Sequence, residues 1–191
     1  MRIVAGKFKG RQIETPEGRN TRPTTDRVRE AVFNILAHNP AMPPVEDARV
    51  IDLFAGSGAL GFEALSRGAA FCLFVEIAAG ARGIIRKNIE ALQVFGNTRI
   101  HRRSALDLGP KPAGVGQPFN WVFLDPPYDQ GMVEPALKQL QTGNWISKPC
   151  VAIIETSAAE EEVAPADWDV LETRLYGDTR ITFALFGATH D

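Results

Sequence analysis

Asp52-Leu53-Phe54-Ala55-Gly56-Ser57-Gly58-Ala59-Leu60-Gly61 decides the fold, because it joins an apolar run to a helical pattern through three spaced glycines. Val50 to Phe54 reads as a buried strand and Leu60 to Arg67 as the helix after it. Gly56, Gly58 and Gly61 make the spacing G-x-G-x-x-G, which lets backbone approach a ligand and lets helix pack close to strand. Strand, glycine turn and helix in that order open an α/β fold that binds its ligand at the strand's carboxyl end.

Outward from this stretch, apolar runs keep alternating with helical patterns, which argues for βαβ units and a parallel sheet. Strands are predicted at Val50 to Phe54, Phe71 to Glu76, Thr98 to Arg103, Trp121 to Asp125 and Val151 to Glu155. Helices are predicted at Leu60 to Arg67, Ala78 to Val94 and Gly131 to Gln141. Val170 to Tyr176 and Arg180 to Phe186 are also strand-like, and Gly177-Asp178-Thr179 between them is too short for anything but an antiparallel pair. The predicted architecture is α/β: a mostly parallel, seven-stranded sheet with an antiparallel C-terminal hairpin.

Before this core lies an extension of different character. Arg2-Ile3-Val4-Ala5 and Arg11 to Thr15 read as short strands of a hairpin around Gly6 and Gly10. Thr24 or Thr25 caps a helix running to about Leu36, and the Pro-rich stretch Asn39 to Pro44 links it to the core. The division predicted is an extension at 1–45 and a catalytic domain at 46–191. Residues 1–29 carry eight basic side chains against three acids, a balance of +5, which leaves −7 for the rest of the 191 residues. A basic arm on an acidic body is the footprint of a polyanion binder. Arg27 and Arg29 have a competing role as helix-surface partners of Asp26 and Glu30.

Composition excludes several classes. With 45% hydrophobic and 23% charged residues the chain is an ordinary globule. The amino terminus lacks the apolar core of a secretory signal, and no apolar run approaches the 18 or so residues of a membrane span. Cys72 and Cys150 sit in apolar strands and read as reduced core residues, so a cytoplasmic protein is expected. His38 and His101 have no partners at ligand spacing, so no metal is expected.

The flanks of the glycine loop narrow its ligand. Asp52 lies four positions before Gly56, where a carboxylate opposes a pyrophosphate but suits a cationic amine. Glu76 ends the next strand, twenty positions after Gly56, placed to accept hydrogen bonds from ribose hydroxyls. An amino acid and an adenosine on one ligand describe S-adenosylmethionine, whose amine and sulfonium are both positive. A nicotinamide oxidoreductase is disfavoured by Asp52 and by the lack of a hydride-handling His or Tyr.

Asp125-Pro126-Pro127-Tyr128 follows the apolar run Trp121 to Leu124. Prolines at a strand exit end the ladder and stiffen the turn, holding acid and ring at the ligand-binding edge. The same residues also make an ordinary turn.

With these motifs in this order, the chain resembles the Rossmann-like S-adenosylmethionine-dependent methyltransferases, and Asp125 to Tyr128 looks like the motif of enzymes that methylate exocyclic amines of nucleobases. Arg2 to Gly6, Arg22-Pro23-Thr24-Thr25-Asp26-Arg27-Val28-Arg29-Glu30, Asp52 to Gly61 and Tyr176-Gly177-Asp178-Thr179-Arg180 narrow the likeness to bacterial 16S rRNA (guanine-N2)-methyltransferases of the RsmD type. The resemblance implies Asp125, Pro126 and Tyr128 as catalytic residues. It implies cofactor contacts from Asp52, Phe54, Ala55, Gly56, Ser57, Gly58, Glu76, Ser104, Ala105 and Asp125. Lys7, Lys9, Arg11, Arg19 and Arg22 are expected to hold the nucleic acid, and the partner expected is 16S rRNA or its ribonucleoprotein, bound by a monomer. The chain departs from the family at Ile77-Ala78-Ala79-Gly80 and at Ser104-Ala105, where further polar or acidic residues are usual. Rival readings are a DNA amino-methyltransferase, which would usually need a larger target-reading domain, and a non-catalytic RNA-binding assembly factor.

Overall fold

Side-chain alternation along each strand sorts the apolar residues onto the two faces of one sheet. The computed structural model of the chain describes residues 1–16, 26–160 and 164–187. In chain order the elements are α1 (Asp26–His38), β1 (Arg49–Leu53), α2 (Ala59–Ser66), β2 (Phe71–Val75), α3 (Ala79–Leu92), β3 (Thr98–His101), β4 (Phe119–Leu124), α4 (Val133–Thr142), β5 (Ile146–Ser157), β6 (Trp168–Tyr176) and β7 (Thr179–Phe186). The sheet order is β3-β2-β1-β4-β5-β7-β6. Neighbours through β5 pair in parallel, whereas β7 runs antiparallel to both β5 and β6.

One core layer takes Val50, Cys72, Phe74, Trp121, Phe123, Val151 and Ile153 from the sheet, packed against apolar residues of α1, α2 and α3. The other takes Ile51, Leu53, Leu73, Val122, Leu124, Ala152 and Ile154, packed against α4 and Trp145. Both cysteines are free and buried, as a core role requires. The strand order reverses at β1, which has β2 on one side and β4 on the other. That switch point opens a crevice beyond the strands' carboxyl ends.

The predicted hairpin of the extension forms with short arms: Ile3 donates to the Arg11 carbonyl at 3.0 Å, Gly10 to that of Ile3 at 2.9 Å and Ile13 to that of Met1 at 3.0 Å, around an antiparallel bridge of Arg2 with Gln12. Other backbone amides of the segment go to the core. Val4 and Ala5 donate their amides to the Glu63 carboxylate at 2.8 and 3.0 Å, and Lys7 donates to the Ser66 carbonyl at 2.6 Å. Ile3 and Ile13 are buried in the same core layer as Phe33, Trp121 and Phe123. The segment is therefore fastened along α2. Arg29 is not on the helix surface: it is 1% exposed and binds Asp26 Oδ1 at 2.7 Å and the Arg2 carbonyl at 2.6 Å. The cap residues Thr24 and Thr25 lie outside the described residues.

Strand limits also shift. β3 stops at His101, because Ser104 closes a turn by accepting the Leu106 amide at 3.2 Å. β5 starts at Ile146, earlier than expected, since Phe119 offers it a ladder partner there.

Candidate active site

Strand parity gathers the acids. Phe74, Phe123 and Ile153 all face the α1–α3 layer, and two residues further along each strand direction stand Glu76, Asp125 and Glu155. Asp52 pairs with Phe74 and Phe123 and so stands on the same face. Four carboxylates from β2, β1, β4 and β5 thus converge on one side of the carboxyl edge. Glu155 went unrecognised in the sequence, although the signal was there: it too is an acid closing an apolar run.

The glycine loop is built around two of these acids. Asp52 is 2% exposed, and its Oδ2 accepts the Gly61 amide at 3.1 Å. A Cβ on Gly61 would lie 2.5 Å from Phe74 and 2.6 Å from Cys72 Sγ, so glycine alone permits this approach of helix to strand. Glu76 accepts the Gly56 amide at 2.9 Å and the Ala78 amide at 2.7 Å, tying the loop after β1 to the exit of β2. Each oxygen keeps a lone pair for a ligand hydroxyl. Phe54, Gly56 and Gly58 take positive φ angles of 57, 56 and 80°. Beneath Ser57, the buried Asn88 donates to its carbonyl at 3.1 Å. Asn88 also exchanges hydrogen bonds with the Glu14 backbone at 2.7 and 3.0 Å. Sequence reasoning missed Asn88, which looks like any polar residue on an amphipathic helix.

The second wall is Asp125 to Tyr128. Asp125 is half-buried, and no hydrogen bond among the described residues ties its carboxylate. Burial pushes its carboxyl well above the usual range, and the charges of Glu155 and Asp52 push the same way. Burial likewise raises Asp52 to about 8, opposed by the Gly61 hydrogen bond and reinforced by Glu76. A cation brought among acids raised in this way would favour their charged forms. Tyr128 donates its hydroxyl to Glu155 Oε1 at 3.0 Å and sits 3.2 Å from Thr179 Oγ1. Burial raises this phenol to about 12.

The other expected contacts spread out from this crevice. Phe54, Ala55, Ser57 and Gly58 belong to the loop itself. Ala105 is buried and Ser104 half-buried just past β3, and Ile77, one of the departures, is 62% exposed past β2. Lys7, Lys9 and Arg11 are exposed, with Arg11 hydrogen-bonded to the Ala91 carbonyl of α3. Arg19 and Arg22 lie outside the described residues. Asp129 and Gly131, each with φ of 60°, turn the chain from Tyr128 into α4. A separate cavity of about 430 Å³ lies between the end of α1 and the Pro-rich linker, lined by Phe33, Leu36, Met42 and Trp121 among others. None of the four carboxylates lines it. Among the described residues no cluster of His, Cys, Asp and Glu is gathered for a metal ion, and no helix is long and apolar enough to cross a membrane.

An antiparallel strand slotted in beside the last parallel one, with a glycine loop and an acidic crevice at the switch point, is the methyltransferase form of the Rossmann-like sheet. The family model described as "Conserved hypothetical protein 95" matches residues 1–185, and the chain belongs to that family. It is 36% identical over 178 residues to Ribosomal RNA small subunit methyltransferase D of Escherichia coli (strain K12), spanning 93% of this chain and 85% of the relative. The protein of that name from Haemophilus influenzae (strain ATCC 51907 / DSM 11121 / KW20 / Rd) is 35% identical over 179 residues, spanning 93% and 89%. The solved structure of the Escherichia coli chain yhhF matches with a TM-score of 0.81 at 34% identity over 99% of both chains.

Proposed function

We propose that this chain is a cytoplasmic S-adenosylmethionine-dependent RNA methyltransferase that acts on the exocyclic N2 of a guanine in 16S rRNA, as a monomer and without a metal ion. The observation that carries the reading is the set of four carboxylates at the switch point, two of them bonded into the glycine loop. Family membership and the relatives' names support the polymer, and the likeness to RsmD-type enzymes supports the base and atom.

The donor set fits the cofactor. Asp52 and Asp125 stand where a cation stabilises their charged forms, and Glu76 has acceptor capacity left for ribose hydroxyls. S-adenosylmethionine, when bound, supplies an electrophilic methyl group on a positive sulfur. The chain's own residues do the rest. A guanine N2 lone pair is delocalised into its ring, so the amine must be drawn toward tetrahedral geometry. The Asp125 carboxylate and the Pro126 carbonyl accept its two protons, and the prolines fix that carbonyl's direction. Tyr128 stacks on the base, a contact worth about 1 to 3 kcal/mol. The nitrogen turns acidic once methylated, so a weak acceptor, the Asp125 carboxylate or water, takes its proton late. Lys7, Lys9, Arg11, Arg19 and Arg22, in the extension at 1–45, bind the RNA backbone while the base leaves its stack.

Purified protein with labelled cofactor is expected to label small-subunit rRNA and to release N2-methylguanosine on digestion. Label in adenine, cytosine or DNA overturns the substrate assignment. An Asp125→Ala variant that keeps full biological effect favours the assembly-factor reading instead.

A further inference from the structure

The ring of Tyr128 has a role in stacking, but its hydroxyl is not needed for that. A phenylalanine would stack as well, without an oxygen to satisfy in a half-buried place. Here the hydroxyl is satisfied twice, by Glu155 at 3.0 Å and by Thr179 at 3.2 Å. Glu155 is only 5% exposed and lies in β5, beside the strand that leads into Asp125. Burying a third acid next to Asp52 and Asp125 adds repulsion that an apolar side chain would avoid. Such a residue calls for a use.

Both partners are fixed by the sheet. Glu155 pairs with Ile181 and Ser157 with Thr179 in the β5–β7 ladder. The turn before β7 is laced to the exit of β5: the Ala158 amide donates to the Asp178 carbonyl at 2.9 Å, and Arg180 donates to the carbonyls of Ala158 and Glu160. Neither Glu155 nor Thr179 can follow the ring if it swings.

We propose that Glu155 and Thr179 are positioning residues that hold the Tyr128 ring by its hydroxyl in the orientation in which the target base stacks. The Tyr176-Gly177-Asp178-Thr179-Arg180 turn then has a function, which is to fix Thr179 at the crevice. The proposal rests on Tyr128 being the stacking ring. A ring on a loop loses rotational freedom when a base lands on it, and a tethered ring has lost that freedom on folding, so the base is captured already aligned. The carboxylate end of the tether makes it a charge-assisted bond, stronger than a neutral pair.

The test is steady-state methylation of 16S rRNA by the full chain, with cofactor affinity measured separately by calorimetry. Tyr128→Phe keeps the ring and drops the tether. It is expected to lower kcat about tenfold, with cofactor affinity within about twofold of wild type. Glu155→Ala and Thr179→Val act in the same direction, and Glu155→Gln, whose amide oxygen still accepts from the phenol, restores most of the rate. In a Tyr128→Phe background, Thr179→Val adds no further loss, because both act through one hydroxyl. Tyr128→Phe at wild-type kcat overturns the proposal, and so do losses that multiply in the double variant. Tyr128→Phe does not depend on Glu155 being dispensable for folding, so the test survives an unstable Glu155→Ala. If Tyr128→Ala is inactive while Tyr128→Phe is fully active, the stacking role stands and the positioning role falls. If Tyr128→Ala is fully active, the stacking reading itself falls, and this proposal with it.

Discussion

Asp52 accepts the Gly61 amide at 3.1 Å from beneath the loop that separates them, so one buried acid holds the end of β1 to the first turn of α2. Its carboxyl is raised by burial to about 8, against an unfolded value of 3.8. Between those values the folded chain keeps a proton that the unfolded chain has lost. Stability from this group is therefore fully present below about pH 4 and declines as pH rises, levelling off above about pH 8, with a slope of at most about 1.4 kcal/mol per pH unit. Denaturant titrations of the wild type and Asp52→Asn at a series of pH values are expected to differ by this slope. A constant difference would show that Asp52 ionises normally in the fold.

A cation placed in the crevice reverses that balance by favouring the carboxylate. Cofactor binding near pH 7 is expected to release protons, read as a dependence of the calorimetric enthalpy on the buffer's ionisation heat. Asp52→Asn should reduce the release. Raising the pH from 6 to 8 should tighten binding in the wild type more than in this variant.

Asn88 joins the extension to the glycine loop, since one amide bonds the Glu14 backbone in both directions and the Ser57 carbonyl. Asn88→Ala strands those groups in a place that is 1% exposed. The expected cost is about 2 to 3 kcal/mol in a denaturant melt, together with weaker cofactor binding. A variant that is destabilised but binds cofactor normally would confine Asn88 to a structural role.

How much of this was legible depends on whether a feature is local. An acid that closes an apolar run is visible in one dimension, so Asp52, Glu76 and Asp125 could be read directly. Glu155 has the same signature, but its importance comes from β5 lying beside β4 in register, which no local pattern states. The glycine spacing foretold the close approach of helix to strand that Gly61 makes. Arg29 misleads for the opposite reason: its charge pattern belongs to a surface, and the carbonyl of Arg2 and the carboxylate of Asp26 help make its burial tolerable. The hairpin at the amino terminus was legible, since Ile3 bonds Arg11 and Ile13 bonds Met1, but its fastening to Glu63, far along the chain, was not.

Glu63 is fully buried and serves three donors: the amides of Val4 and Ala5, and Arg67 Nε at 2.8 Å. Glu63→Ala leaves two part-buried amides and a guanidinium without this acceptor, a loss of about 3 kcal/mol. Limited proteolysis is expected to cut this variant within the first sixteen residues while the core stays protected. Uniform protection would show that the extension is held by its apolar side chains alone.

Lys7 and Lys9 are exposed on that fastened segment, which makes them fixed charges rather than a loose tail. Arg11 is a poorer probe, because it also bonds the Ala91 carbonyl. Each phosphate neutralised by a lysine releases counterions, at about 0.7 in the log–log salt slope for single-stranded nucleic acid. Substituting Lys7 and Lys9 with alanine together should therefore flatten the salt dependence of RNA binding by about 1.4. Cofactor affinity and the melting temperature should hold, since neither side chain enters the crevice. An unchanged slope would take these lysines out of the RNA interface, and a fall in cofactor affinity would mean that the segment's charge acts on the glycine loop instead.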